Sequence, residues 1–187
     1  MRKIAVLLLT VAFVWSSVAV VLRAEQSSEK ENGELAEALE GVKVSLGNGL
    51  QASEAQGTPI SGKFEIEEGK LQLSVYTMKD NKFFEVIVDH KTGKVAKTEP
   101  ITGADDLAAA TAQAEAMAKT KSSLYELTAK AVKESSGAQA VSFVPAMKNG
   151  HPTAAITVVK NDNFKTILWP FDQSGTKYLA FLPLAQI

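Results

Sequence analysis

Between residues 60 and 95 the apolar positions alternate with polar ones at the period of two that a half-buried strand requires. Phe64 and Ile66 fall opposite Lys63, Glu65 and Glu67, and Leu71, Leu73 and Val75 fall opposite Gln72, Ser74 and Tyr76. Phe84, Val86 and Val88 alternate in the same way with Phe83, Glu85, Ile87 and Asp89. The breaks lie at Glu68-Gly69, Asp80-Asn81 and Thr92-Gly93, residue types that tolerate the positive φ of tight hairpins. The pattern predicts three antiparallel strands and the start of a fourth. One face is apolar, so an amphipathic element must cover it.

Helical spacing brackets that stretch. Leu35, Leu39, Val42, Leu46 and Leu50 recur every three or four residues, which predicts one or two short helical pieces within Leu35 to Gln56. Gly41, Gly47 and Gly49 each weaken them by up to ~1 kcal/mol relative to alanine. After the connector Thr98 to Gly103 a second stripe runs through Leu107, Ala110, Ala114, Met117, Leu124, Thr128 and Ala131. It predicts one long helix over about 104–135, with Thr102 and Asp105 as a capping box and Gly137 as its stop. Strands follow at Ala138 to Met147, Thr153 to Lys160 and Phe164 to Phe171.

The punctuation of the second strand group repeats the first. Glu68-Gly69 answers to Asn149-Gly150, Asp80-Asn81 to Asn161-Asp162, and Gln56-Gly57 to Ser136-Gly137, at an offset near 81. A constant offset across three turns argues for an internal duplication. Pro145 and Pro170 cannot donate to a ladder, so edges or bulges are expected there. The apolar end, Lys177 to Ile187, is expected to add a strand or cover an edge. The expected organisation is a 1–24 leader, a 25–34 linker, a first repeat over 35–98 and a second over 99–187.

Met1-Arg2-Lys3 followed by the apolar run Ile4 to Leu22 has the layout of a secretory signal. The run is also long enough to stay as an uncleaved anchor. Both readings place the remainder outside the cytoplasm, with any membrane attachment through residues 4–22. Without the leader and its three basic residues the balance is net acidic, which gives no electrostatic reason to expect nucleic acid as a partner. Cysteine is absent, so disulfides and thiolate chemistry are excluded.

A helix followed by a meander whose last strand reads Phe84-Glu85-Val86-Ile87-Val88-Asp89 and closes in Lys91-Thr92-Gly93-Lys94-Val95 resembles the PepSY domain. The first copy matches it over roughly Val44 to Val95. The second, Ala104 to Asp172, departs from it: Pro170 replaces the aspartate and Gln173-Ser174-Gly175 the Lys-Thr-Gly. The resemblance implies a cystatin-like α+β fold, here as two helix-plus-meander repeats. It also implies a role as a binding module or a restraint on secreted peptidases, with no catalytic residues of its own. The partner expected on that basis is an envelope protein or a peptidase, taken up in trans.

The candidate chemistry is sparse. Asp89, Thr92 and Gly93 read as a structural turn, with the carboxylate accepting backbone N–H bonds from Lys91 to Gly93. His90 and His151 are the two histidines, and they form a ligand-binding or metal-binding group only if the fold joins their turns. Glu65, Glu67, Glu68 and Glu85 read as a solvated face. No G-x-S-x-G elbow or P-loop occurs, and Gly47-Asn48-Gly49 lacks the third glycine of a dinucleotide fingerprint. Trp169, Phe164, Phe171, Tyr178 and Phe181 read as an aromatic core cluster. The expectation is a non-catalytic binding protein with no cofactor, gripping a partner through an open strand edge. The alternative is a periplasmic binder of a small molecule or metal ion.

Overall fold

The computed structural model describes residues 30–171 and 178–179. The expected leader, the start of the expected linker and the tail beyond Leu179 lie outside the described residues. In chain order the elements are α1 (30–39), α2 (Leu46–Ser53), β1 (Thr58–Glu67), β2 (Lys70–Lys79), β3 (Lys82–Val88) and β4 (Val95–Pro100). They continue as α3 (Ala104–Met117), α4 (Leu124–Glu134), β5 (Gln139–Lys148), β6 (His151–Lys160), β7 (Asn163–Pro170) and β8 (Tyr178–Leu179). The strands form one antiparallel sheet in the order β4-β3-β2-β1-β5-β6-β7-β8. The chain is α+β, built of two helix-and-strand repeats that share that sheet.

The duplication extends to fine detail. Residues 58–67 and 70–79 of the first meander become 139–148 and 151–160 of the second, each 81 positions on. The hairpin turns have matching positive φ values: 48° and 74° at Glu68-Gly69, 52° and 79° at Asn149-Gly150. Asp80-Asn81 at 50° and 59° matches Asn161-Asp162 at 49° and 61°. Two successive positive φ values are the signature of the two-residue turn whose twist suits a hairpin. Even the bulges agree, since Ile60 slips between Pro59 and Ser61 as Val141 slips between Ala140 and Ser142.

The repeats meet through β1 and β5, where Gly62 faces Phe143 and Lys63 faces Ser142. Gly62 and Phe143 are themselves equivalent positions, so a local twofold axis passes between them. The ladder is only those two pairs long, and the strands part on either side of it. Pro145 lies in such an opening: it keeps its place opposite Ala154 of β6 but has no partner on β1. A proline is therefore accommodated in an interior strand.

The helices differ from expectation in three places. The polar stretch expected as a linker to residue 34 is helical from residue 30. Lys30 and Glu34 pair at 3.6 Å on its exposed side, and burial begins only at Leu35, Ala36 and Leu39, so charge masked the first turn. The long helix over 104–135 is broken into α3 and α4 at 118–123. The expected capping box at Thr102 is absent: Gly103 is the N-cap of α3 with no side-chain bond. The capping box stands instead at Ser123, whose Oγ accepts from Glu126 N at 3.2 Å while Glu126 Oε2 accepts from Ser123 N at 2.9 Å. That reciprocal pair restarts the helix after the break.

Gly49 has a packing reason for its low helix propensity. A Cβ there would stand 2.4 Å from Leu73 Cδ2, so α2 lies against β2 only because the position is glycine. The inner face of the sheet carries Phe64, Leu73, Val75, Val86, Val88, Phe143 and Ile156, all 2% exposed or less. Leu46 and Leu50 of α2 and Leu124, Leu127 and Ala131 of α4 close the cluster from above. Each large aliphatic side chain so buried contributes ~1.5–3 kcal/mol.

Tyr76 and Ser61 point to the other face by strand alternation. Near its start α3 lies beside Tyr76 through Asp106, and Ser61 Oγ donates to Gln113 Oε1 at 2.6 Å farther along. Met117, at the end of α3, packs on the inner cluster. The helix thus passes from the outer face to the inner one at the opening beside Pro145. Ala110 and Ala116, buried to 1% and 0%, are small enough to let it through.

Candidate functional site

Where α3 turns into α4, the connection 118–123 faces the last turn of α2 and the start of β1 across a cleft of about 550 Å³. Leu50, Ile60, Met78, Met117 and Leu124 supply the apolar wall. Thr120, Lys121, Ser122 and Ser123 line one rim and Glu54 the opposite one. Tyr125, 40% exposed, stands at the mouth. An apolar interior of several hundred cubic ångströms with a polar rim is the usual form of a binding pocket.

The first repeat shows why this corner is open. Its connection, Glu40-Gly41-Val42-Lys43-Val44-Ser45, has the same six-residue length as Ala118-Lys119-Thr120-Lys121-Ser122-Ser123, and both end on the serine that caps the next helix. Val44, 7% exposed, belongs to one core cluster with Leu39, Ala138, Ala140, Val141 and Val159, and Val42 packs against it. Lys43 N and Val44 N both donate to His90 O, at 3.0 and 3.1 Å, and pin that connection down. In the second repeat the two valines are replaced by Thr120 and Ser122. The apolar plug is gone, and the wall it would cover remains.

The turn after β3 is built by Asp89. Its Oδ1 accepts from Lys91 N at 2.9 Å and from Thr92 N at 2.7 Å. Gly93 N goes to the Asp89 backbone oxygen at 2.8 Å rather than to the carboxylate, and Gly93 adopts φ 72°. The backbone N–H of Thr92 first, then that of Lys91 and the Thr92 side chain, hold the Asp89 carboxyl below its ordinary value. His90 is half-buried, and its Nδ1 has no partner.

The fold does not bring the histidines together. β3 runs parallel to β1 in direction and β5 runs opposite to it. His90 therefore lies at the end of the sheet that holds Glu68-Gly69. His151, in the β5–β6 turn, lies at the other end and in the other repeat. Among the described residues no three His, Asp or Glu side chains converge as metal ligands.

The carboxylates of the first repeat surround Tyr76 on the outer face. Burial first, and then Glu85, Glu65, Asp106 and Glu67, push its phenol well above the usual tyrosine range, so it stays neutral and serves as a hydrogen-bonding group rather than a base. Lys63 pairs with Glu65, and Lys97 with Glu99 at 2.7 Å. The β4 edge is built against strand addition: a bulge falls between its pairs with Ile87 and Val88, and Lys97, Glu99 and Pro100 occupy the rest. A strand-adding partner thus finds a poor template at β4. In the aromatic cluster Trp169 is 5% exposed beneath Lys130, and Phe143 stacks on Phe171 at 6.4 Å. The side chains of Tyr178 and Phe181 lie outside the described residues.

Sequence reasoning missed the cleft, because its walls come from residues 50–60, 78 and 114–125, which only the β1–β5 join brings together. The available signal was the loss of two valines between the repeats. No known protein family's profile matches the chain, and no curated protein matches it. Among solved structures the chain is similar to a "putative lipoprotein" from Clostridium difficile 630, at 18% identity and a TM-score of 0.40, covering 73% of this chain and 91% of that one. At that level the likeness bears on neither mechanism nor partner.

Proposed function

We propose that the chain is an exported, non-catalytic binding module of the PepSY-like, cystatin-like kind, and that the corner cleft is where it holds a protein partner of the cell envelope. The observation that carries this reading is the replacement of Val42 and Val44 by Thr120 and Ser122 at equivalent corners, which leaves an apolar wall uncovered. A wall kept apolar while its plug is removed suits an incoming side chain better than water. The resemblance at Phe84 to Val95 suggests a peptidase as one such partner, restrained in trans. Export follows from the leader-like residues 1–24, and with no cysteine in the sequence a membrane attachment would run through residues 4–22.

The test is affinity capture from an envelope extract with the full chain and with a Thr120→Val, Ser122→Val variant, which refills the corner. A protein retained by the wild type and lost by the folded variant supports the reading, and peptidase activity in that fraction identifies the restrained partner. Retention of the same proteins by both forms removes the cleft from the account. Retention by neither removes the module reading itself.

A further inference from the structure

The rim of the cleft carries an unbalanced positive charge. Lys121 lines it, Lys119 precedes it on the same connection, and Lys79 Cβ lies 3.2 Å from where a Gly57 Cβ would stand on the opposite wall. All three are exposed, and none is in an ion pair among the described residues. Glu54 is the single acidic residue that lines the cleft, and nearby Glu126 is turned onto the Ser123 amide by the capping box. Ser123, Leu124 and Tyr125 bring the positive end of α4 to the same rim. Below this rim the wall is apolar, and two of its members are the methionines Met78 and Met117, whose unbranched side chains adapt to irregular ligands.

We infer that the cleft takes an apolar chain ending in a carboxylate, with the tail against Met78, Met117 and Ile60 and the anionic end at Lys121. The inference rests on the reading of the cleft as a binding site and names the chemistry it selects. Two sources share that chemistry: a fatty acid, and the free C-terminus of a peptide with a large apolar last residue.

The test uses the full chain with ¹³C-methyl methionine, read by NMR. Of the four methionines, Met78 and Met117 lie in the cleft wall, while Met147, 41% exposed on β5, is outside it. Decanoate, and separately acetyl-Ala-Ala-Leu as free acid, are titrated beside decanol, decylamine and the peptide amide. The expected result is a saturable shift of Met78 and Met117, with Met147 unmoved, for at least one of the two acids. Its neutral counterpart binds about tenfold or more weakly, as loss of a charged contact implies. Lys121→Glu weakens the acid by a similar factor and Thr120→Val, Ser122→Val abolishes the shifts. Response to decanoate alone identifies a lipid source, and response to the peptide acid alone a chain end. No shift at Met78 and Met117 with either acid, or equal binding of decylamine, overturns the inference. Because protein capture by the cleft is read separately, loss of the carboxylate preference with capture intact fells this inference and leaves the module reading standing.

Discussion

The two helix-to-helix corners are the same structure solved twice with opposite results. In the first, Val42 and Val44 sit over Leu39, Ala138 and Val159, and two amides clamp the connection to the His90 carbonyl. In the second, hydroxyl side chains occupy the two places and about 550 Å³ stays open beside Met78 and Met117. The strands beneath them are superimposable in sequence offset, turn geometry and bulge position. The scaffold therefore tolerates either a closed or an open corner, and stability lives in one copy while adaptable surface lives in the other.

The comparison can be broken at the point on which both corners depend. Phe143→Ala removes a fully buried ring at the join of β1 and β5, and a loss of ~3–5 kcal/mol is expected. Denaturant unfolding measures it, and a loss below ~1 kcal/mol would mean the repeats stand independently. Val44→Ser converts the closed corner toward the open one. It removes a buried branched side chain and adds a hydroxyl, so a loss of ~2 kcal/mol is expected in the same assay. If stability were unchanged, the plug would not be the difference between the corners.

Smaller effects sharpen the contrast. Ser123→Ala removes the cap that restarts α4 beside the cleft and should cost ~1 kcal/mol, with faster amide exchange at residues 123–127 than elsewhere in α4. Asp89→Asn weakens the turn on which the closed corner's backbone rests. Because the Asp89 carboxyl is held below its ordinary value, its contribution is present above the unfolded carboxylate value of about 4 and is lost as pH falls through the folded one. The variant should melt about 1–2 °C lower at neutral pH, and the difference should vanish in acid. A gap that persisted at low pH would contradict the assignment.

Strands and turns were legible because each position was marked twice, by the alternation and by residues such as Gly69 and Asn161 that accept positive φ. The helices were less so. Across Ala118 to Ser123 the spacing of apolar residues continues well enough to suggest one helix, and the stop comes from the local bonding of Ser123 and Glu126. Gly49 read as a cost to α2, and only the approach to Leu73 shows its use. The cleft depends on a two-pair ladder between repeats, a long-range contact that no local pattern announces. The separation of His90 from His151 follows from strand direction, which a single sequence does not supply.

The meeting of Gly62 with Phe143 has a consequence for ancestry. A dimer of two identical single repeats joined along this edge would set one residue against its own copy on the symmetry axis, with side chains about 5 Å apart on the same side. Two phenylalanines would collide beneath the helices, and two glycines would leave a void. The small-against-large solution is open only to a chain whose halves can mutate separately, so fusion had to come before this joint could be packed.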